Sequence, residues 1–424
     1  MSGAPVLIIG AGPAGMAAAE AVSQHGQSVL VVDENHAPGG QIWRGGPAQW
    51  QDRRAGVLWQ RLQDRPHVRL MFGTRLVAQA GAGLLLAETG DGPFVVPWQR
   101  AILCTGAREL LLPFPGWTLP GVTGAGGLQA LVKAGVPVSG KRVVVAGTGP
   151  LLLAVADALK RRGALVVAVV EHQGAPALAR FAGRLAWSHR AKLSQAAWLA
   201  AGLRHVAYLH AATVREARGE LRLRTVVIEH RGVENEIACD FLACGFGLVP
   251  SLESAALFGC VTQQGRVAVD ALQRTSIDGV WAAGESTGIG GVDKALAEGR
   301  IAGLSAVGAV ATAAERRALV SAHAFAALLA RSFPAPPVMR SVCAATTIVC
   351  RCEDVRHGEL SGHPGWRAAK LMTRVGMGPC QGRVCGAACA FLYGWEDAGA
   401  RPPVFPVSAG TLASMAPDGQ QLAE

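Results

Sequence analysis

Near its start the chain runs Val6-Leu7-Ile8-Ile9 and then Gly10-Ala11-Gly12-Pro13-Ala14-Gly15, and no other stretch limits its fold so tightly. Four apolar residues of high strand propensity, then a glycine-punctuated turn, then an Ala-rich segment to about His25, predict a buried strand, a sharp turn and a helix. A second strand, Ser28 to Val32, ends at Asp33. Each glycine has a separate task in this arrangement. Gly10 permits the tight turn, Gly12 lets backbone approach a pyrophosphate, and Gly15 lets helix and strand pack closely, with Pro13 and Ala14 completing the turn. The helix start offers unpaired N–H groups and a positive dipole end to phosphates. Asp33 is placed to accept hydrogen bonds from ribose hydroxyls, and its neighbour Glu34 is the weaker candidate. The competing reading is a glycine-rich turn that holds no ligand.

A second unit of the same kind begins at Lys141. Val143 to Ala146 reads as its strand, Gly147-Thr148-Gly149-Pro150-Leu151-Leu152 as the turn, Leu153 to Arg162 as the helix, and Leu165 to Val170 as the next strand, ending at Glu171. Leu152 stands where the third glycine would be, so helix and strand sit farther apart. Two readings stay open, an NAD(P) or adenine-nucleotide site at Gly147 and Gly149, or a Rossmann-like fold without its ligand. Further strands are expected at Ala101 to Ala107, Thr213 to Arg218, Leu221 to His230, Phe241 to Cys244 and Gly279 to Ala282. A helical stretch is expected from Arg184 to Ala201, and an Ala/Leu helix from Val292. The segment Ser332-Phe333-Pro334-Ala335-Pro336-Pro337 cannot be helix interior and reads as a linker.

Composition closes off several classes. Half the residues are apolar and 17% are charged, which is incompatible with a disordered chain. Aromatics make up 5% and Tyr occurs twice, too few for a stacking platform on single-stranded nucleic acid. The net charge of +10 is scattered, which suits an acidic docking partner better than a DNA groove. The basic, Trp-containing stretch Arg184 to Trp198 accordingly reads as a packed helix or a subunit contact. No basic leader precedes the first apolar run, so no secretory signal is expected. Ile301 to Ala314, flanked by Arg300 and Glu315, is short of the ~20 residues a membrane-spanning helix needs and reads as a buried helix. A cytoplasmic location with free thiols follows. Trp43 is as compatible with core packing as with covering a cofactor, and the eleven histidines include no His-x3-His pair.

Six of the ten cysteines fall between Cys343 and Cys389, which asks for a metal explanation. Cys350-Arg351-Cys352 and Cys380-Gln381-Gly382-Arg383-Val384-Cys385 supply four thiols in two close pairs, a set that suits Zn²⁺ or an iron–sulfur cluster. Cys-x-Cys is less usual for zinc, which tilts the choice to iron. Zinc, inert thiols and a cluster-less relic remain as alternatives; Cys389 is a rival ligand, and Cys343 reads as structural.

In this order the features resemble the two-dinucleotide-binding-domain flavoproteins, the group that contains thioredoxin and glutathione reductases. The likeness spans roughly residues 4 to 310 and rests on the first glycine turn, Gly39-Gly40-Gln41-Ile42, Cys104-Thr105-Gly106, the second glycine turn and Ala283-Gly284-Glu285. It implies an α/β fold of two Rossmann-like domains. The FAD-binding domain is expected to be discontinuous, 1–117 with 248–330, around a second domain at 118–247. A linker at 331–341 and a C-terminal module with tail at 342–424 follow. Gly40 and Gln41 are then expected near the flavin, Thr105 and Gly106 in the same domain, and Gly284 and Glu285 by the ribityl and pyrophosphate region. Glu285 replaces the family's Asp. Neither Gly39 to Trp50 nor Lys141 to Ala182 contains a cysteine, so flavin-to-dithiol chemistry is not expected.

The tail resembles the small helical [2Fe–2S] domain of bacterioferritin-associated ferredoxins, which implies Cys350, Cys352, Cys380 and Cys385 as ligands. The second pair here is more widely spaced than in those domains. Together with Gly290 to Gly299, the whole chain resembles the alpha-type flavoprotein components of heteromeric bacterial amino-acid dehydrogenases, the group that includes those of opine oxidase, D-hydroxyproline dehydrogenase and hydrogen cyanide synthase. That resemblance implies an FAD-containing beta subunit of the amine oxidoreductase type, a small [2Fe–2S] gamma subunit, and an electron relay between FAD and cluster. It leaves room for FMN at an interface between chains and for a peripheral link to the respiratory chain at the inner face of the membrane. Two other functions stay open, a stand-alone NAD(P)H-dependent FAD oxidoreductase, for which Glu171 suits NADH, and a nucleotide-binding structural subunit.

Overall fold

The computed structural model describes residues 4–396 and 399–414; the remainder of the expected 1–117 and 342–424 segments lies outside the described residues. Backbone contacts divide the chain into two compact units, one of residues 1–108, 250–327 and 399–424, the other of 109–249 and 328–398.

The first unit is built on a five-stranded sheet in the order Val280–Ala282, Ala101–Leu103, Val6–Ile9, Val29–Asp33, Val68–Phe72. All its pairings are parallel, with Ile9 opposite Val32 on one side and Leu103 on the other. Val6 to Ile9 are all buried, as a strand covered on both faces must be. The helix Pro13–Gln24 follows the glycine turn, and the helix Val292–Ala306 packs on it closely. A methyl group built on Gly299 would strike the Ala14 carbonyl, and one on Gly303 would meet Ala18 and Ala21. Two glycines one turn apart thus let the helices touch backbone to backbone.

The second unit repeats the plan. Its five parallel strands run in the order Ala207–His210, Leu165–Glu171, Arg142–Gly147, Phe241–Gly245, Val122–Gly124. Each unit also carries a three-stranded antiparallel sheet just before its returning strand, Arg75–Gly81, Leu84–Thr89 and Gly92–Pro97 in the first, Ala212–Arg218, Thr225–His230 and Val233–Ala238 in the second. Beyond the long helix Ala313–Ser332, the cysteine-rich segment folds as a short hairpin, Ile348–Cys350 with Val355–Arg356, and small helices at His357–Leu360, Trp366–Thr373 and Cys385–Tyr393. Val349, Val355, Leu360, Trp366, Ala369 and Val375 give that segment its own apolar cluster, into which Cys350, Cys385 and Cys389 are packed.

Three expectations are corrected. The stretch read as one helix from Arg184 is two, Ala175–Ser188 and Arg190–Gly202, broken where His189 leaves helical geometry. The run Ile301 to Ala314 is not one helix, since the first ends at Ala306 and the next begins at Ala313. The second glycine turn passes into helix at Leu151, two residues earlier than expected. Among the described residues no helix is long and apolar enough to cross a membrane.

Candidate functional site

In the first unit the glycine turn lies between the neighbouring strands Val6–Ile9 and Ala101–Leu103, where connections leave in opposite directions and open α/β sheets form a crevice. Two of its glycines are demanded by the protein itself. A methyl group on Gly10 would collide with the Cys104 carbonyl, and one on Gly15 with the Gly10 carbonyl. Gly12 is different. At φ −74° it caps the helix, with no side chain bonded to the first-turn N–H groups, and a methyl group there would find only the Gly40 Cα, at 3.8 Å. The absence of a side chain at Gly12 is therefore not explained by packing, and it leaves the helix N-terminus open to a ligand's backbone-hugging approach.

Asp33 is buried, and its carboxylate accepts from the Ala11 N–H at 2.6 Å and from the Asn35 N–H and side-chain amide. It braces the turn from below. Glu34 is half exposed and paired with Arg75. Gly40 comes back to back with Gly12, and the Gly39 N–H donates to the Ala11 carbonyl, so the Gly39-Gly40 loop closes over the glycine turn. Gln41 stands exposed beside it. Thr105 and Gly106 are tied to Ser251, the Thr105 hydroxyl donating to its carbonyl and the Ser251 N–H to that of Gly106. Gly284 packs on Ala14, while the buried Glu285 carboxylate accepts from the Gly290 and Gly291 N–H groups. Gly10, Gly12, Pro13, Ala14, Gly15, Asp33, Gly40 and Gly284 thus form one neighbourhood. Trp43 is a core residue whose indole N–H donates to Asp52.

Sequence reasoning passes over a buried ionic cluster against this turn. Lys294 and Glu298, one helical turn apart, form an ion pair of 2.7 Å with side-chain exposures of 6% and 2%. Lys294 also donates to the Gly284 carbonyl and the Thr287 hydroxyl; Glu298 accepts from the Gly284 N–H, from Thr287, and is bonded to His323. Burial alone would push Glu298 up, but hydrogen bonds from His323, Lys294 and Thr287 hold its carboxyl below the ordinary range. The i, i+4 spacing is the one signal of this pair in the sequence.

The second unit reproduces the brace but not the opening. Glu171 accepts from the Thr148 hydroxyl and from the Gly149 and Gln173 N–H groups, and burial pushes its carboxyl up. Gly147 lies on Gly245, and Leu152 reaches toward Gly245, filling the space a third glycine would leave. Gly149, the counterpart of Gly12, is covered. A methyl group built there would lie 3.3 Å from Cγ of Phe333, whose ring meets Phe181 edge to face at 4.8 Å. The residue that covers it belongs to the proline-rich segment expected to act as a linker.

The cysteines converge as two pairs, and all ten in the chain are free. The Cys385 thiol is hydrogen-bonded to Cys350, whose pKa falls to about 5. Burial opposes that fall, while the N–H groups of Gly376, Glu353 and Cys352 add to it. Cys385 is correspondingly pushed up. The second pair, Cys352 and Cys380, sits nearer solvent. The Cys380 N–H favours the Cys352 thiolate, but burial and the neighbouring Cys380 and Cys350 sulfurs raise that thiol overall. Gly376 and Gly382, both at positive φ, lie against the Trp366 ring, and Gly378 leaves room for Cys352. Cys389 is buried one turn beyond Cys385, within electrostatic reach of Cys350. Cys343 donates to the Pro113 carbonyl. Among the described residues no three Cys, His, Asp or Glu side chains stand as a ready-made metal group, so the fold supplies two coupled thiol pairs. As a donor set, four mutually sensed thiols with N–H groups on the innermost sulfur fit a sulfur-ligated metal centre.

A family model described as pyridine nucleotide-disulphide oxidoreductase matches residues 4–299. The chain is 31% identical over 456 residues to the OoxA-type component, the A chain, of opine oxidase from Rhizobium meliloti (strain 1021), covering 96% of this chain and 98% of that one. It is 31% identical over 470 residues to hydrogen cyanide synthase subunit HcnB of Pseudomonas protegens, covering 99% and 98%. Among solved structures, L-proline dehydrogenase from P. horikoshii superposes with a TM-score of 0.67 at 20% identity, covering 96% of this chain and 79% of that one.

Proposed function

Because the chain belongs to the pyridine nucleotide-disulphide oxidoreductase family, and is a homologue of HcnB and of its opine oxidase counterpart over nearly its whole length, we propose that it is the electron-transfer subunit of a hetero-oligomeric amino-acid dehydrogenase. The chain is an FAD-dependent oxidoreductase. In this reading a partner beta subunit, itself an FAD-containing amine oxidoreductase, oxidises an amino acid of the D-hydroxyproline, opine, proline or glycine type. A small [2Fe–2S] gamma subunit completes the complex. When bound, FAD exchanges electrons in pairs or singly and a [2Fe–2S] cluster singly, so the two together suit a chain that splits and relays reducing equivalents.

The chain's own residues then have defined tasks. The open face of Gly12 and the helix start at Pro13 take the pyrophosphate, while Asp33 faces the adenosine ribose and keeps the turn rigid through Ala11. Cys350 and Cys385 form the inner ligand pair, Cys352 and Cys380 the outer pair, and the N–H groups on Cys350 hold negative charge on its sulfur. The observation that carries the reading is the convergence of these two thiol pairs in a chain where packing gives no reason for the bare Gly12. Phe333 over Gly149 weighs against a stand-alone NAD(P)H enzyme.

The test is spectroscopic. The purified chain should carry flavin together with stoichiometric iron and acid-labile sulfide. Cys350→Ser and Cys380→Ser should lose the iron and keep the flavin. A protein holding zinc alone would overturn the relay.

A further inference from the structure

The helices Ala175–Ser188 and Arg190–Gly202 have no role in either cofactor site, and their burial is unusual. The first buries only Phe181 and Leu185, and the second buries no residue at all. Helices in folded proteins draw most of their stability from an apolar face packed on something, and an Ala/Leu-rich helix with no buried residue lacks that support within this chain. On the outer side Arg180, Arg184 and Trp187 follow one another at i, i+4, i+7 and so share one stripe. Trp187 is 92% exposed and Trp198, on the second helix, 60%. An indole left so open in water is a contact surface without its contact; Trp and Arg are also the residues that dominate the energetics of protein interfaces.

The charge around them has one sign. From His172 to Arg215 the chain contains no Asp or Glu, while Arg180, Arg184, Arg190 and Lys192 lie on the two helices. Apolar and polar residues are mixed around the second helix rather than separated onto opposite faces. A helix lying in a lipid surface needs that separation. A protein with a discrete pocket for an indole and acids around it does not.

We infer that this helical pair is the docking surface for another subunit of the complex, an acidic protein surface whose pocket takes Trp187 and whose carboxylates meet Arg180 and Arg184. The inference rests on the hetero-oligomer reading above and adds where the partner binds. Acidic charge on the partner speeds and orients encounter, and the buried indole holds the complex together.

The complex should be purified from the native host with the chain full-length and a photo-crosslinking amino acid at position 187. The same label at Leu221, equally exposed but outside the pair, is the control. The expected result is a crosslink from position 187, and none from 221, to a second polypeptide present in stoichiometric amount, at an acid-rich segment. Trp187→Ala and Arg184→Glu should each weaken association by about tenfold or more, with flavin content and melting temperature unchanged. An intact complex unaffected by both variants, a crosslink to a second copy of this chain, or binding to phosphatidylglycerol vesicles that Trp187→Ala abolishes would each overturn the docking surface while leaving the hetero-oligomer reading standing. Failure of any polypeptide to co-purify would overturn both.

Discussion

At the residue scale, the glycines of the first turn divide by what stands behind them. Gly15→Ala puts a methyl group into the Gly10 carbonyl, and the expected outcome is a chain that does not fold. Gly12→Ala meets open space at an ordinary φ, so its stability should change by less than about 1 kcal/mol. It should nonetheless lose FAD affinity by about tenfold or more, read as flavin retained through gel filtration. Equal flavin content in wild type and Gly12→Ala would remove the pyrophosphate from this turn. The Lys294–Glu298 pair makes a second prediction. Glu298 lies below its ordinary pKa in the folded state, so the stability it contributes is present above that ordinary value and drains away as the pH falls through the lowered one. Glu298→Ala leaves a buried ammonium without its partner and should cost about 3–5 kcal/mol at neutral pH. Glu298→Gln should flatten the acid limb of a melting-temperature profile. A profile identical to wild type would place the acid sensitivity elsewhere. These residue effects differ in legibility. Gly10 and Gly15 answer local steric demands that a six-residue pattern carries. The partners of Lys294 arrive from Gly284, Thr287 and His323, and no local pattern announces them.

At the scale of elements, the first strand, the helix after it and the acid that ends the second strand are legible because propensity, pattern and turn chemistry agree there. The break at His189 is not, because no proline or glycine marks it and the Ala/Leu composition favours helix on both sides. The fate of the second glycine turn is also illegible. Leu152 signals a changed helix–strand contact, but the ring that closes the crevice comes from Phe333, far along the chain, through packing alone. Phe333→Ala should uncover Gly149 at a cost of about 2 kcal/mol, less than a fully buried ring would cost. Titration calorimetry with NADH should give no heat of binding for the wild type and a measurable one for the variant. Tight NADH binding by the wild type would show that the ring yields to a ligand. The cysteine pairs are legible as a spacing, and the structure adds which sulfur meets which. The assignment of Cys350 to Cys385 and of Cys352 to Cys380 comes from the turn of the hairpin and the helix Cys385–Tyr393, not from the intervals between them.

For the whole molecule, both units are discontinuous in sequence, and the residues after the cysteine-rich segment return to the first unit. There the Val404 N–H donates to the Val77 carbonyl, and Glu88 accepts from the Ser408 N–H and the Thr411 hydroxyl. Burial pushes the Glu88 carboxyl up, but those bonds outweigh it and leave it lowered. Deleting residues 399–424 should therefore lower the melting temperature of the first unit while iron content stays unchanged; loss of iron instead would tie the tail to the cysteine pairs. The duplicated sheet order has a consequence for how the protein is made. The second unit's five strands lie between Val122 and Gly245, and all have left the ribosome before the first unit's edge strand, Val280–Ala282, is translated. At roughly 5–20 residues per second, the earlier-begun sheet waits some seconds to tens of seconds with Ala101–Leu103 unpaired along one side. The half that starts the polypeptide is the half that finishes last, and during that interval its bare edge is the nascent chain's most exposed point for chaperone capture or mispairing.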